Sequence, residues 1–313
     1  MGSRCPMCYP KAMPIFDARP RVLCDTNVIG DLLALSGGDL RNDFIRLARA
    51  GVAFHINAYV LDGICYALIA DPQQQAEGVR NSGNLGAVDP RQLAALLAAL
   101  LEPEIPVFPY QHYLYDLVGF GGTPVDQCVA QTRKLTQEYV AWRALMERTA
   151  MLDPVLLSVV AEAAGRHNEV RHQYSESIAR PPTWKRTGNE NDIPALLEQA
   201  APEFARRFDA KYGNTASVRC DALVRSHALL ALHQWYDGRP ADLTSKRQRG
   251  TMYDQCMLDG LAVPAYLITG DKPFRARVRE SASCQASWVM SASEFVDAWN
   301  RGRVGVLEFP NAG

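Results

Sequence analysis

The stretch RVLCDTNVI, residues 21–29, decides the fold of this chain. Its first residues form a short apolar run of the kind found in buried strands, and Asp25 follows at the carboxyl end. Two helical patterns come next, and a second β-rich run occupies residues 52–57. This β-α-β order predicts an α/β fold with a central parallel sheet. An acid at the tip of a buried parallel strand is well placed for a ligand, because open α/β sheets bind ligands at that edge.

A second stretch near the other end of the chain, AYLITGDKPF at residues 265–274, repeats this arrangement. Here Asp271 closely follows a predicted strand at 265–269. Acids far apart in sequence can meet in space when they end parallel strands of one sheet. Clustered carboxylates are the usual ligands of Mg²⁺ and Mn²⁺, which prefer hard oxygen donors. The sequence therefore predicts a divalent-cation site that includes Asp25 and Asp271.

Four further residues are candidates for the same site. Asp254 lies on a predicted helix, 253–260, that leads into the strand before Asp271. Asp62 follows the second strand, at the start of another helical pattern. Asn27 and Thr269 flank the two strand-end acids, and we expect them to donate hydrogen bonds to the carboxylates or to orient a water.

Composition sets wide limits on the class of protein. The chain has 313 residues, of which 48% are hydrophobic and 21% charged, with a formal net charge of -1. These values are typical of a soluble globular protein and neither support nor exclude nucleic acid as a partner. The chain contains neither an apolar run long enough to span a membrane nor an apolar signal core at its amino terminus. We therefore expect a cytoplasmic protein without a membrane partner, and the scattered cysteines fit free thiols of a reducing compartment.

The chain divides into an α/β core and a long helical segment. We expect a flexible tail at 1–19, an α/β core at 20–70 and 246–313, and a helical insertion at 71–245. Predicted helices of the insertion lie at 91–101, 126–149, 155–178, 194–211 and 217–237.

The carboxyl-terminal part returns to the α/β pattern. A strand is predicted at 287–290, followed by a helix whose capping box runs from Ser291 to Glu294. An edge strand is predicted at 304–309.

The two acid-bearing stretches resemble the motifs of the PIN-domain nucleases. That family opens with an apolar strand ending in Asp-Ser/Thr-Asn/Ser, which Asp25 begins here. It closes with a strand carrying Ser/Thr-x-Asp-x-x-Phe, matched by Thr269, Asp271 and Phe274. A third acid some 17–20 residues upstream is usual, and Asp254 lies there. The resemblance covers about 20–70 and 250–300.

The resemblance implies a three-layer fold around a parallel sheet, here with a large all-helical insertion. It also implies a metal-dependent endoribonuclease that uses Mg²⁺ or Mn²⁺, with Asp25, Asp254 and Asp271 as metal ligands. The expected substrate is single-stranded or structured RNA. Such an enzyme acts as a toxin, a defence effector or an RNA-processing enzyme, and an inhibitor or antitoxin protein is a possible partner. The sequence is compatible with all three roles.

One departure from the family pattern leaves two alternatives open. The family carries a Glu on the helix after the second strand, where this chain has Asp62 followed by Gly63. Either Asp62 replaces that Glu with a small register shift and joins the catalytic residues, or the acid is absent. In the second case the protein is a catalytically degenerate scaffold that binds RNA or a protein partner.

Basic residues near the acids point to a polyanionic substrate, because phosphates attract them. Lys246, Arg247 and Arg249 precede Asp254, and Lys272 follows Asp271. Arg275, Arg277 and Arg279 continue the same basic segment. We expect the first four to bind substrate, although a solvated charged face explains any one of them equally well.

Two other interpretations compete for the strand-end acids. Asp is a good helix N-cap, so Asp25 and Asp271 can serve only to cap the helices that follow them. A phosphatase of the haloacid-dehalogenase type also begins with an apolar strand and Asp. That family needs a second Asp two residues on, where this chain has Asn27.

Overall fold

The computed structural model describes most of the chain, in nine ranges. These are residues 18–34, 38–69, 89–108, 125–147, 153–178, 192–213, 216–237, 254 and 257–309. The predicted tail at 1–19 lies almost wholly outside them.

Within these ranges, five strands form one all-parallel sheet. The strands are β1 Arg21–Cys24, β2 Ala53–Asn57, β3 Val107–Phe108, β4 Tyr266–Ile268 and β5 Val289–Met290. Their order across the sheet is β3-β2-β1-β4-β5. β1 is buried along its whole length, as are β2 and β4, which fits the apolar runs that predicted them.

The order of the strands contains a switch point between β1 and β4. From β1 the chain proceeds to β2 and β3 on one side of the sheet, then crosses to β4 and β5 on the other. In open parallel sheets the crevice outside the carboxyl ends of the strands at such a point is where ligands bind. Asp25 follows β1 and Asp271 follows β4, so the two acids flank this crevice.

Helices account for most of the remaining described chain. They are α1 Thr26–Leu33, α2 Gly38–Arg49, α3 Ala58–Ile69, α4 Pro90–Leu100, α5 Val125–Glu147, α6 Pro154–Ile178, α7 Ile193–Tyr212, α8 Ala216–Arg219, α9 Asp221–Asp237, α10 Lys272–Glu280 and α11 Ala292–Asn300. Short 3₁₀ turns occur at Asp259–Ala262 and Ala286–Trp288.

One continuous core joins the sheet to much of the helical segment. The core includes Phe54 of β2, Phe295 of α11 and Trp142 of α5, all of them buried. α3 packs along α6, and α6 packs on α5. A smaller apolar cluster fills the space between α7 and α9, with Leu197 and Leu229 at its centre.

Most of the predicted elements agree with the structure, with three corrections. β3 lies inside the segment 71–245, which the sequence assigns to helices alone, and pairs with β2. The strand predicted at 287–290 shortens to Val289–Met290, because the residues before it form a 3₁₀ turn.

The third correction is the edge strand predicted at 304–309, which does not form. There the hydroxyl of Tyr266 both accepts from the backbone N–H of Gly305 and donates to its carbonyl, each at 3.3 Å. A side chain of β4 thus binds this segment, which makes no backbone ladder with a neighbouring strand. The capping box of Ser291 and Glu294 is present as predicted.

No helix in the described part of the chain is long and apolar enough to cross a bilayer.

Two glycines make a matched pair for a stability test. Gly63 lies inside α3, and beyond its chain neighbours and the adjoining helix backbone no described atom lies within 4 Å of where its Cβ would stand. Gly63→Ala should therefore raise the free energy of unfolding by about 0.5–1 kcal/mol, since glycine lowers helix stability. At Gly260 a Cβ would overlap Cδ1 of the buried Leu23 in β1, so Gly260→Ala should destabilise the fold. Urea unfolding of both variants measures this, and a loss of stability in Gly63→Ala would contradict it.

Candidate functional site

The carboxyl edge of the sheet is lined by residues that cap helices. A helix follows each of four described strands, and a backbone N–H in the first turn of that helix donates to a side chain at or just after the end of the strand. These side chains are those of Asp25, Asn57, Asp271 and Ser291. Asp25 Oδ1 accepts from the backbone N–H of Thr26 at 2.6 Å, and Asp271 Oδ1 accepts from that of Phe274 at 2.7 Å. Both acids are thus helix caps, as one competing interpretation of the sequence expected. Capping uses one oxygen of each, so it leaves the carboxylates available for a further role.

Thr269 connects the two acids. Cys24 pairs with Ile268 across the β1–β4 ladder, so the next residues, Asp25 and Thr269, are neighbours. The fully buried Thr269 hydroxyl donates to Asp25 Oδ2 at 2.8 Å and accepts from the backbone N–H of Asp271 at 3.1 Å. The sequence predicted a hydrogen bond from Thr269 to a carboxylate, and the structure contains it.

Asn27 holds the loop between β4 and α10 against α1. Its amide nitrogen donates to the Thr269 hydroxyl at 3.4 Å, and its oxygen accepts from the backbone N–H of Gly270 at 2.9 Å. A Cβ on Gly270 would stand 3.2 Å from Oδ2 of Asp31. Asp31 therefore faces the same loop, although the sequence analysis did not select it. Its position four residues after Asn27, on the same face of α1, was the available signal.

Asn57 is a second residue at this edge that sequence reasoning missed. It ends β2, the strand next to β1, and its side chain is 1% exposed. Its oxygen caps α3, whereas its amide nitrogen has no hydrogen-bond partner among the described residues. The available signal in the sequence was the position of Asn57 at the end of a predicted strand, which is similar to the position of Asp25 after β1.

Asp25, Asp254 and Asp271 lie near enough to affect one another's charge. Burial raises the pKa of Asp25, with a further contribution from the negative charge of Asp271 and opposing hydrogen bonds from Thr269 and Thr26. Burial, together with the negative charges of Asp271 and Asp25, raises the pKa of Asp254 to about 7. Three acids from three separate segments thus share one region of negative potential.

Asp254 is also held by an arginine of α10. Nη2 of Arg277 donates to Oδ2 of Asp254 at 3.0 Å, and this positive charge opposes the rise in the pKa of Asp254. Both side chains are 17% exposed. In the structure, therefore, Arg277 is the cation that faces the acidic region at Asp254.

Asp62 belongs to a different group of charges. Its side chain is 1% exposed and its Oδ1 accepts from Nη2 of Arg166 on α6 at 2.9 Å. Arg166 also donates to the buried Glu138 on α5. Burial raises the pKa of Asp62 to about 8, while Arg166 opposes the rise. The charges acting on Asp62 come from these helices, so the structure does not bring it together with the three acids of the crevice.

The basic residues of α10 are mostly engaged within the protein. Arg275 is buried and donates to the carbonyl of Thr269 at 2.5 Å. Arg279 pairs with Glu294 of α11 at 3.0 Å. Lys272 is exposed at the first position of α10, beside Asp271. Lys246, Arg247 and Arg249 lie outside the described residues. Of the predicted substrate-binding residues, Lys272 is thus the one that the structure locates at the crevice.

The divalent cation implied by the PIN resemblance fits the donor chemistry of this crevice. Carboxylate oxygens are the ligands that Mg²⁺ and Mn²⁺ prefer, and mutual repulsion among Asp25, Asp254 and Asp271 is what a cation relieves. In the described conformation no three His, Cys, Asp or Glu side chains of the described ranges are grouped so that they could hold a metal ion. An oxygen of Asp254 is already bound to Arg277.

The raised pKa of Asp254 gives a prediction for stability against pH. The folded protein holds this proton more tightly than the unfolded chain, so ionisation of Asp254 costs stability as pH rises from about 4 to about 7. Asp254→Asn removes the ionisation. Without metal, the stability of this variant relative to the wild type should therefore rise over the same interval. Urea unfolding in EDTA at pH 5 and pH 8 measures the change, and parallel curves for the two proteins would contradict the prediction.

Comparisons with known proteins do not extend this picture. No protein-family model, no curated protein and no solved structure matches the chain.

Proposed function

We propose that this protein is a metal-dependent endoribonuclease with a PIN-like fold. On this proposal the sheet and its flanking helices form a three-layer PIN-like core, and the helical segment 71–245 is a large insertion. The observation that supports the proposal is that Asp25 and Asp271 flank the switch point of a parallel sheet, where the negative charges of both help to raise the pKa of Asp254.

The chemistry follows from the charges of the crevice. Asp25, Asp271 and Asp254 would hold one or two Mg²⁺ or Mn²⁺ ions. When bound, such ions activate a water and stabilise the charge that develops at a phosphodiester.

The protein's own residues prepare this arrangement. Thr269 and the first turn of α1 fix both oxygens of Asp25, and Asn27 fixes the loop that carries Asp271. These hydrogen bonds set the orientation of ligand carboxylates before a substrate arrives. The amino termini of α1 and α10 meet at this edge, and the positive end of a helix dipole favours an anionic phosphate. We assign Lys272, with Lys246, Arg247 and Arg249, to contacts with the RNA backbone.

A second candidate function is a non-catalytic PIN-like scaffold that binds RNA or a protein partner. Two observations favour it. Asp62 is bound by Arg166, which argues against its standing in for the missing family Glu. Asp254 is bound by Arg277 rather than free to bind a cation.

Cleavage of end-labelled single-stranded RNA separates the two candidates. The enzyme proposal expects products with Mn²⁺ or Mg²⁺ and none with EDTA, and it expects Asp271→Asn to give none under either condition. Retention of the same RNA on a filter without cleavage at any metal concentration would favour the scaffold. If the RNA is neither cleaved nor retained, the nuclease and the RNA-binding form of the scaffold are both rejected for this RNA.

A further inference from the structure

The proposed chemistry does not use the ion pair between Arg277 and Asp254. Arg277 lies on α10, six residues after Asp271. Side chains on a helix lean toward its amino terminus, so a long arginine at this position reaches back to the crevice. It meets Asp254, which comes from a segment before β4, at 3.0 Å.

The charges around this pair leave the arginine outnumbered. Asp254 feels the negative charges of both Asp271 and Asp25. The neighbouring cations of α10 are committed elsewhere, because Arg275 donates to a backbone carbonyl and Arg279 pairs with Glu294. With Lys272 beside Asp271, α10 sets two cations against the three acids, and Arg277 is the one bound to Asp254.

The hold of Arg277 on Asp254 is also incomplete. An arginine binds a carboxylate most strongly through two parallel hydrogen bonds. Here Nη2 makes the bond, while the buried Nη1 has no hydrogen-bond partner among the described residues. A buried donor without an acceptor makes the pair costly, so the guanidinium is easier to displace than a fully bonded one.

From these contacts we propose that Arg277 is a built-in counter-ion of the crevice, which holds Asp254 in the cation-free protein and which a divalent cation must displace. This inference rests on the proposed function, because it takes the three acids as the cation's ligands. Arg277 and the cation then compete for Asp254, and Arg277 limits the affinity for the cation. The same competition explains why the described conformation contains acids of the right kind without a metal-holding group.

The test is a titration of the protein with Mn²⁺ alone, in which the electron paramagnetic resonance signal of the free ion measures how much Mn²⁺ is bound. Arg277→Gln should bind Mn²⁺ more tightly than the wild type, by about tenfold or more, because the competitor is gone. Arg279→Gln is the matched control, since it removes an exposed arginine of the same helix that pairs with Glu294 instead. It should bind Mn²⁺ as the wild type does. The gain should disappear in the double variant Asp254→Asn/Arg277→Gln.

A second measurement protects the test against a folding defect. Without metal, Arg277→Gln should have a lower Tm than the wild type, because Asp254 loses its partner. Mn²⁺ should raise the Tm of this variant by more than it raises that of the wild type. If Arg277→Gln does not fold, Arg277→Lys keeps the charge but not the planar fork, and a smaller gain in Mn²⁺ affinity is expected.

The outcomes separate this inference from the proposed function. Equal or weaker Mn²⁺ binding by Arg277→Gln, with binding by the wild type, overturns the counter-ion role and leaves the metal site standing. If Arg277→Gln fails to fold, an Arg277→Lys variant with no gain in Mn²⁺ affinity likewise overturns the counter-ion role. An absence of Mn²⁺ binding in the wild type and in every variant overturns both.

Discussion

Replacing Asp25 by asparagine is expected to lower RNA cleavage by about 100-fold or more while the fold is kept. The carboxylate lies at the switch point, and loss of one ligand charge weakens both cation binding and the activation of water. Asparagine retains an oxygen that can accept from the backbone N–H of Thr26, so the cap of α1 survives. It also removes a charge that burial and Asp271 make unfavourable. In EDTA the Tm of the variant should therefore be unchanged or raised.

The control for this prediction is Asp39→Asn, which changes an exposed acid in the first turn of α2. It should cleave as the wild type does. A fall of many degrees in the Tm of Asp25→Asn, with cleavage lost only in proportion to the unfolded fraction, would mean that Asp25 is a structural cap and nothing more.

The second large effect is expected at Arg166, which joins three helices. Its guanidinium binds Asp62 of α3 and Glu138 of α5, both of them 1% exposed. Arg166→Met would leave two buried carboxyls without their shared partner, which should cost about 3–5 kcal/mol of unfolding free energy. Because burial raises the pKa of Asp62 to about 8, the loss should be larger at pH 9 than at pH 6, where Asp62 is protonated.

Denaturant unfolding at these two pH values measures the loss. The triple change Arg166→Met, Asp62→Asn and Glu138→Gln removes the three charges of this triad together and should recover part of the stability. A cost below about 1 kcal/mol for Arg166→Met at pH 9 would show that the triad is not an important link between α3 and the helices packed on it.

The sequence predicts the part of the fold that depends on local patterns. β1, β2 and β4 are buried on both faces, so each appears as a short apolar run with a polar residue at its end. β3 escaped prediction because it contributes only Val107–Phe108, too short a run to show a period. The segment 304–309 has the composition of a strand, yet its backbone bonds to the hydroxyl of Tyr266, a contact that no local pattern reveals.

The candidate site divides in the same way. Asp25 and Asp271 could be selected because each follows a strand, and Thr269 because it neighbours both. Asp254 pairs with Arg277, which lies 23 positions further along the chain, and Asp62 pairs with Arg166, which lies 104 positions further along. Which acids meet which arginines depends on how whole helices pack, so the sequence selected both acids without showing that each has a cationic partner.

The most direct test of the central claim is the location of Mn²⁺ in crystals soaked with the ion, found by its anomalous scattering. We expect a manganese peak in contact with the carboxylates of Asp25 and Asp271, together with movement of Arg277 away from Asp254. A map without manganese at these carboxylates, with Arg277 still bound to Asp254 at saturating Mn²⁺, would contradict it.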